Sequence, residues 1–247
     1  MGFAKGLVPS RVVPDKWWET PVIEDPLAMK PSENEVLLIV GDATDVLADV
    51  EKFIEICPTG FDTMCINYSA KLIPWEIQHF IAGDSHTEDM QKQALLLPDS
   101  CLKHCWNPKS HGFNIRWLRN GRTGWNGTTA NLGIKIGIAL GYTRIVLAGI
   151  PMDNSGNWYS ADLPDDDIKK KKDHRDHLWK WNEIASRPVS RLLRSMSGNT
   201  AELLGKPSRE WIEEALLLKE KVYDSQRNED QNKGRSRKEV ESRSCIA

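Results

Sequence analysis

The residues best suited to chemistry in this chain stand where short apolar runs end. Four such segments are Gly41-Asp42-Ala43-Thr44-Asp45, Asn67-Tyr68-Ser69, Gly83-Asp84-Ser85-His86 and Gly149-Ile150-Pro151-Met152-Asp153. A fifth, Asn126-Gly127-Thr128-Thr129, leads through Ala130 into a glycine-striped stretch. Small and hydroxyl-bearing residues let backbone N–H groups approach a phosphate or carboxylate, and a helix N-terminus adds a dipole worth up to ~2 kcal/mol. Each segment also has a plainer reading. Gly41-Asp42 describes a tight strand-to-helix turn with an Asp cap, Asn126–Thr129 an N-cap, and Asp84-Ser85-His86 a capped turn.

His174 and His177, three apart beside Asp173 and Asp176, would share one helix face. They make either a solvated, charged helix start or a general base, since imidazole titrates near neutrality. Arg191, Arg194, Ser195, Ser197, Gly198 and Asn199 form a polar turn that is either a plain connection or a wall of the pocket. Asp153, at a strand end, is assigned to that pocket wall with Ser197 and Gly198. Cys101, His104, Cys105 and His111 lack a second pair at metal-ligand spacing, so no metal site is expected. The run Lys169–Lys172 after Asp165–Asp167 reads as a solvated loop or as a lid over an anionic ligand.

These segments need a scaffold that gathers strand ends. Val36 to Val40 is a continuous apolar run ending at Gly41, the pattern of a strand buried on both faces. The pattern predicts a helix over 45–56, strands over 62–67 and 77–83, a helix over 87–96, and strands over 102–106 and 115–118. The clearest strand is 144–149. Residues 130–140 are ambiguous. Ile134, Ile136 and Ile138 alternate as in a strand, yet Gly133, Gly137 and Gly141 recur every fourth residue, as on a helix that lies close to a sheet. The helix is chosen, with Thr128 or Thr129 at its start and Gly141 at its end. A helix over 173–186, a short strand over 191–195 and two short helices complete the body. Alternating strands and helices predict an α/β fold: a Rossmann-like, open, mostly parallel sheet with helices on both faces. In such sheets ligands bind beyond the carboxyl ends of the strands, where strand order reverses.

Five prolines within residues 1–35 make a proline-rich N-terminal arm, 36–218 form the domain, and 219–247 form a charged tail, helical or disordered. Arm and tail are both available for docking a partner or forming a homo-oligomer. The 247 residues carry a net charge of −2, which excludes a generally basic nucleic-acid coat. No apolar run reaches the ~20 residues of a membrane span. Five sparse cysteines and a first segment without an apolar core predict a cytoplasmic protein with free thiols.

The stretch Thr128 to Asp153, TTANLGIKIGIALGYTRIVLAGIPMD, resembles a segment of bacterial lipooligosaccharide sialyltransferases. The shared pattern is a small-hydroxyl turn, a helix ending in Ala-Leu-Gly-Tyr and a strand ending near Gly-Ile-Asp. The chain also resembles an uncharacterised family related to 6-hydroxymethylpterin pyrophosphokinase. LLIVGDATD is similar to the first-strand loop of both. With its Arg-Ser-Met-Ser-Gly turn, the chain looks like uncharacterised phage or prophage proteins as well. The resemblance implies a transferase with a nucleotide-activated donor, a cytidine-monophosphate sugar as the first guess, working without a metal. Carried over by position, Gly41 and Asp42 would line the nucleotide, Asn67 its base or ribose, and Thr128, Thr129 and Ala130 the phosphate and sugar. The base would be a His after the last main strand, here His177 or His174. Three positions differ from the pattern: Asp42-Ala43-Thr44 replaces Asn-Gly-Pro, Ala130 a turn glycine, and Pro151 the Asp of Gly-Ile-Asp. A pyrophosphoryl transferase would instead hold a divalent metal on Asp42, Asp84 and Asp153. A non-catalytic nucleotide-binding or interaction protein is the third expectation.

Overall fold

The run Val36–Val40 forms strand β1, and all five of its side chains are buried. A strand with no polar face must lie inside a sheet covered on both sides. The computed structural model describes residues 33–106, 110–117, 128–160 and 174–214. In it β1 is joined by β2 (Phe61–Ile66), β3 (His79–Ile81), β4 (Leu102–Cys105), β5 (Ile115–Arg116), β6 (Arg144–Ala148) and β7 (Leu193–Ser195). Their order across the sheet is β5-β4-β3-β2-β1-β6-β7, and every pairing is parallel. The result is a mixed α/β fold with a seven-stranded sheet flanked by helices, consistent with a generic Rossmann-like topology. The order runs outward from β1 in both directions, so it reverses between β1 and β6.

Alternation along β1 divides the core. Val36, Leu38 and Val40 pack with Val46, Val50 and Phe53 of helix α1 (Val46–Ile56) and with Met90 and Ala94 of α2 (Glu88–Leu96). Leu37 and Ile39 point to the other face, against α3 (Thr129–Leu140), α4 (Leu178–Ala185) and α5 (Gly198–Leu204).

Helix α3 resolves the ambiguous stretch. Every residue from Ala130 to Leu140 is buried, so its apolar pattern carries no single face and mimics strand alternation. Its glycines meet the sheet. A Cβ on Gly133 would lie 3.1 Å from the Met64 sulfur, and one on Gly137 2.7 Å from Leu37 Cδ2. Gly141 ends the helix in the left-handed region, its N–H donating to Gly137 and Ile138 carbonyls.

Several elements are shorter or divided where the sequence predicted one piece. The helix expected over 173–186 is a 3-10 turn, His174–His177, followed by α4. The strand expected from Arg191 begins at Leu193, because Pro188 opens a 3-10 turn over Pro188–Leu192. Residues 209–214 make a last helical segment, held by Trp211 against the guanidiniums of Arg144 and Arg194, each 4.8 Å from the indole. The proline-rich arm through residue 32, residues 161–173 with the Lys169–Lys172 run, and the charged tail lie outside the described residues. Among the described residues no helix is long and apolar enough to cross a membrane.

A chain of polar groups, most of them buried, runs across the sheet. The Trp117 indole donates to His104 Nδ1 (3.0 Å), His104 Nε2 lies 3.2 Å from His79 Nδ1, and His79 Nε2 lies 2.8 Å from the Tyr142 hydroxyl. The Tyr142 hydroxyl donates to the Asp62 carboxylate, which also accepts from Asn34 (2.6 Å). Indole can only donate, so each imidazole accepts on Nδ1 and donates from Nε2, and both rings are neutral. Burial holds His79 down at about 4, with the Asp62 charge opposing it, and pushes His104 well below its ordinary range.

Candidate functional site

The reversal of strand order between β1 and β6 leaves a crevice beyond their carboxyl ends. A cavity of about 480 Å³ occupies that place. Its lining draws on every strand-end segment singled out in the sequence: Gly41 and Asp42 after β1, Asn67 after β2, Asp84 after β3, and Asp153 after β6. Thr128, Thr129 and Ala130, at the start of α3, and His177, at the start of α4, line it as well. These sequence-predicted residues are thus gathered from six segments of the chain.

Close backbone packing makes this convergence possible. Gly41 lies against β6: a Cβ there would meet the Gly149 oxygen at 2.4 Å. Gly149 takes φ +65, and a Cβ on it would meet Val46 at 2.6 Å. The Gly149 N–H donates to the buried Asp49 carboxylate of α1 (2.9 Å), which also accepts from the Ser197 hydroxyl (2.5 Å). Two lining residues other than glycine hold left-handed backbone: Asn67 at φ 51 and Met152 at φ 52. Asparagine tolerates that region; for methionine it is strained, and such strain persists where surrounding structure imposes it. The Asn199 amide donating to the Met152 carbonyl (2.8 Å) and the Thr200 hydroxyl donating to Ile150 (2.6 Å) supply that restraint.

Ser197 and Gly198, expected in the pocket wall, stand behind it instead. Ser197 is turned to Asp49, and Gly198 lies so close to Pro151 that a Cβ would come within 2.3 Å of Pro151 Cβ. Both hold the lining loop without joining the lining. Asn126 and Gly127 lie outside the described residues. His174 begins the 3-10 turn that ends at His177, but its side chain is not among those described.

The chemistry of the lining is mainly acidic. Asp42, Asp84 and Asp153 contribute carboxyls, and His177 is half-buried. Burial lifts the Asp42 carboxyl from 3.8 to about 7, against the Asn67 side chain and the Tyr68 and Ser69 backbone N–H groups, which favour its charged form. The Trp158 indole also favours the charge, but its Nε1 completes no hydrogen bond, and Asp42 Oδ1 has no partner either. Thr128 Oγ1 is a third buried polar atom without one. Unsatisfied groups gathered at a concave site are what a polar ligand would satisfy. Asp42, Asp84 and Asp153 share the cavity, yet among the described residues no three His, Cys, Asp or Glu are grouped to hold a metal ion.

Two parts of the lining were missed in the sequence. Trp106 follows β4, and the strand-end rule would have found it had that short, polar strand been given equal weight. Ser155, Gly156, Asn157 and Tyr159 come from a polar loop with no periodicity. That loop is folded over the site by long-range bonds: Ala43 bridges Asn157, Thr44 donates to Ser155 (2.9 Å), and the Trp158 N–H donates to Asp42 O (2.9 Å). Tyr159 packs edge-on against Tyr68 at 4.9 Å. Burial and the nearby Asp42 and Tyr68 raise its phenol to about 12.

Comparison with known proteins gives no match: no family model, no curated protein and no solved structure is found to correspond to this chain.

Proposed function

We propose that the cavity binds a nucleotide-activated donor and that the chain is a glycosyltransferase-like transferase. The observation that carries this reading is the convergence of the α3 N-terminus, an imidazole and strand-end carboxyls in one crevice at the strand-order reversal. The first amides of a helix have no intrahelical acceptor, so Thr129 and Ala130 suit a phosphate. The hydroxyls of Thr128 and Thr129 suit its remaining oxygens. Trp106 and Tyr159 offer ring faces, and base–aromatic stacking is worth about 1–3 kcal/mol. Asn67, Asp84 and Asp153 suit ribose or sugar hydroxyls. The sequence resemblance to sialyltransferases points the same way and makes a cytidine-monophosphate sugar the first donor to try.

In the step proposed, an acceptor hydroxyl attacks the anomeric carbon. Its proton passes to His177, the bond from that carbon to the phosphate oxygen breaks, and the bonding pair leaves with the nucleotide. The α3 N-terminus meets the charge that develops there. Thermal-shift screening with nucleotides and nucleotide sugars, followed by turnover assays, tests the reading. Stabilisation by cytidine nucleotides and a loss of 10²-fold or more in turnover for His177→Ala are expected, the general-base contribution being about 10²–10⁴. Unchanged turnover would remove His177 as the base, and no stabilisation by any nucleotide would remove the ligand class.

A further inference from the structure

The cavity is more acidic than an anion site should be. Three carboxyls line it, and among the described lining residues His177 is the one basic side chain, with no lysine or arginine. An incoming phosphate or carboxylate would meet like charge unless one acid gave up its own.

Asp42 is constructed to do so. It follows Gly41 at the tip of the strand where the order reverses, and its Oδ1 is buried without a hydrogen-bond partner. A carboxylate kept as a buried anion is ordinarily satisfied on both oxygens. Among the described residues, the groups that face it closely bring no positive charge. They are the Cys65 thiol on β2, the Tyr68 phenol on the following turn and the Tyr159 phenol on the loop after β6, with the Asn67 side chain and the Tyr68 and Ser69 backbone N–H groups as neutral donors. From the β6 side Gly41 meets only Gly149 and Ile150. Asp84, Asp153 and His177 line the same cavity.

We propose that Asp42 is the proton-linked group of this pocket: it is a carboxylic acid when an anionic ligand is bound, so that anion binding takes up one proton from solvent. The proposal deepens the reading above, from which it takes only the identity of the anion. Burial already brings the free carboxyl to about 7, and a bound anion raises it further. Above neutrality the free protein must gain a proton to bind, so affinity falls towards tenfold per pH unit.

The test uses the full chain and two readouts. Calorimetric titration with cytidine monophosphate between about pH 7.5 and 9 is expected to show that tenfold-per-unit weakening. Asp42→Asn should abolish it, whereas His177→Asn should keep it. A slope that persists in Asp42→Asn, or no slope in the wild type, overturns the proposal and leaves the nucleotide reading standing. If cytidine monophosphate does not bind, the cytidine donor falls, and the carboxyl ¹³C resonance of Asp42 followed against pH with and without orthophosphate decides. A midpoint near 7 that rises with orthophosphate supports the proposal; a midpoint near 4, or one that orthophosphate leaves unmoved, overturns it.

Discussion

Asp49 illustrates how single residues set the geometry of this site without touching its cavity. Its buried carboxylate accepts the Gly149 N–H and the Ser197 hydroxyl, joining α1 to the ends of β6 and β7. Removing it strands a backbone donor in a place water does not reach. Asp49→Ala should therefore cost about 2–4 kcal/mol in urea unfolding, each unpaired donor counting for about 1–3. It should also weaken whatever the cavity binds, because the Gly149–Asp153 turn loses its anchor. Asp49→Asn keeps one acceptor oxygen and should lose less in the same experiment. Asp42 belongs at this scale too. It has the ordinary composition of a cap, but burial decides its protonation.

At the scale of the element, α3 determines how closely the cavity's phosphate-side wall approaches the sheet. Its glycines are unequal. At Gly133 the nearest neighbour of an added Cβ is the end of the Met64 side chain at 3.1 Å, which can turn aside. Alanine there also gains about 1 kcal/mol of helix propensity, so Gly133→Ala should be near neutral. At Gly137 the Cβ would press on Leu37 at 2.7 Å and on Ile145 at 3.0 Å, both fully buried in the sheet core. Gly137→Ala should lose about 1–3 kcal/mol by overpacking, read as a lower thermal or urea midpoint. Equal effects at the two positions would contradict this seating of the helix.

At the scale of the whole molecule, the buried imidazole chain links stability to acid. His79 titrates near 6.5 when unfolded but is held at about 4 in the fold, and His104 is pushed down as well. The unfolded chain therefore binds protons that the native one refuses. Stability is full above pH ~6.5 and is lost as pH falls towards about 4. Urea midpoints measured across that window should decline, and His104→Gln should flatten the decline even if it lowers the midpoint throughout. Asp42 acts in the opposite sense: its raised carboxyl favours the protonated native state, so its stabilisation is full below about 3.8 and is withdrawn as pH rises from there to about 7, opposing the two histidines over much of the same window.

Much of this was legible in residue order alone. Val36–Val40 could only be a central strand, because it has no polar face. The glycine spacing of α3 outweighed its isoleucine alternation, because only a helix closely seated on a sheet needs small residues every fourth position. Strand ends could be named before any coordinates, and the sheet topology then brought Gly41, Asp42, Asn67, Asp84 and Asp153 to one crevice. What residue order could not provide is everything that depends on distance along the chain being cancelled by folding. Ser197 turned out to support the wall because Asp49, 148 residues away in sequence, claims its hydroxyl. Tyr159 reaches the cavity because Ala43 pairs with Asn157. His79, His104 and Tyr142 form one hydrogen-bonded line only because β3, β4 and the end of α3 meet in the core. Local pattern fixes which residues are apolar, small or capping. Which of them share a dielectric environment or a hydrogen bond is decided by tertiary packing, and here that packing determines the charge of the site.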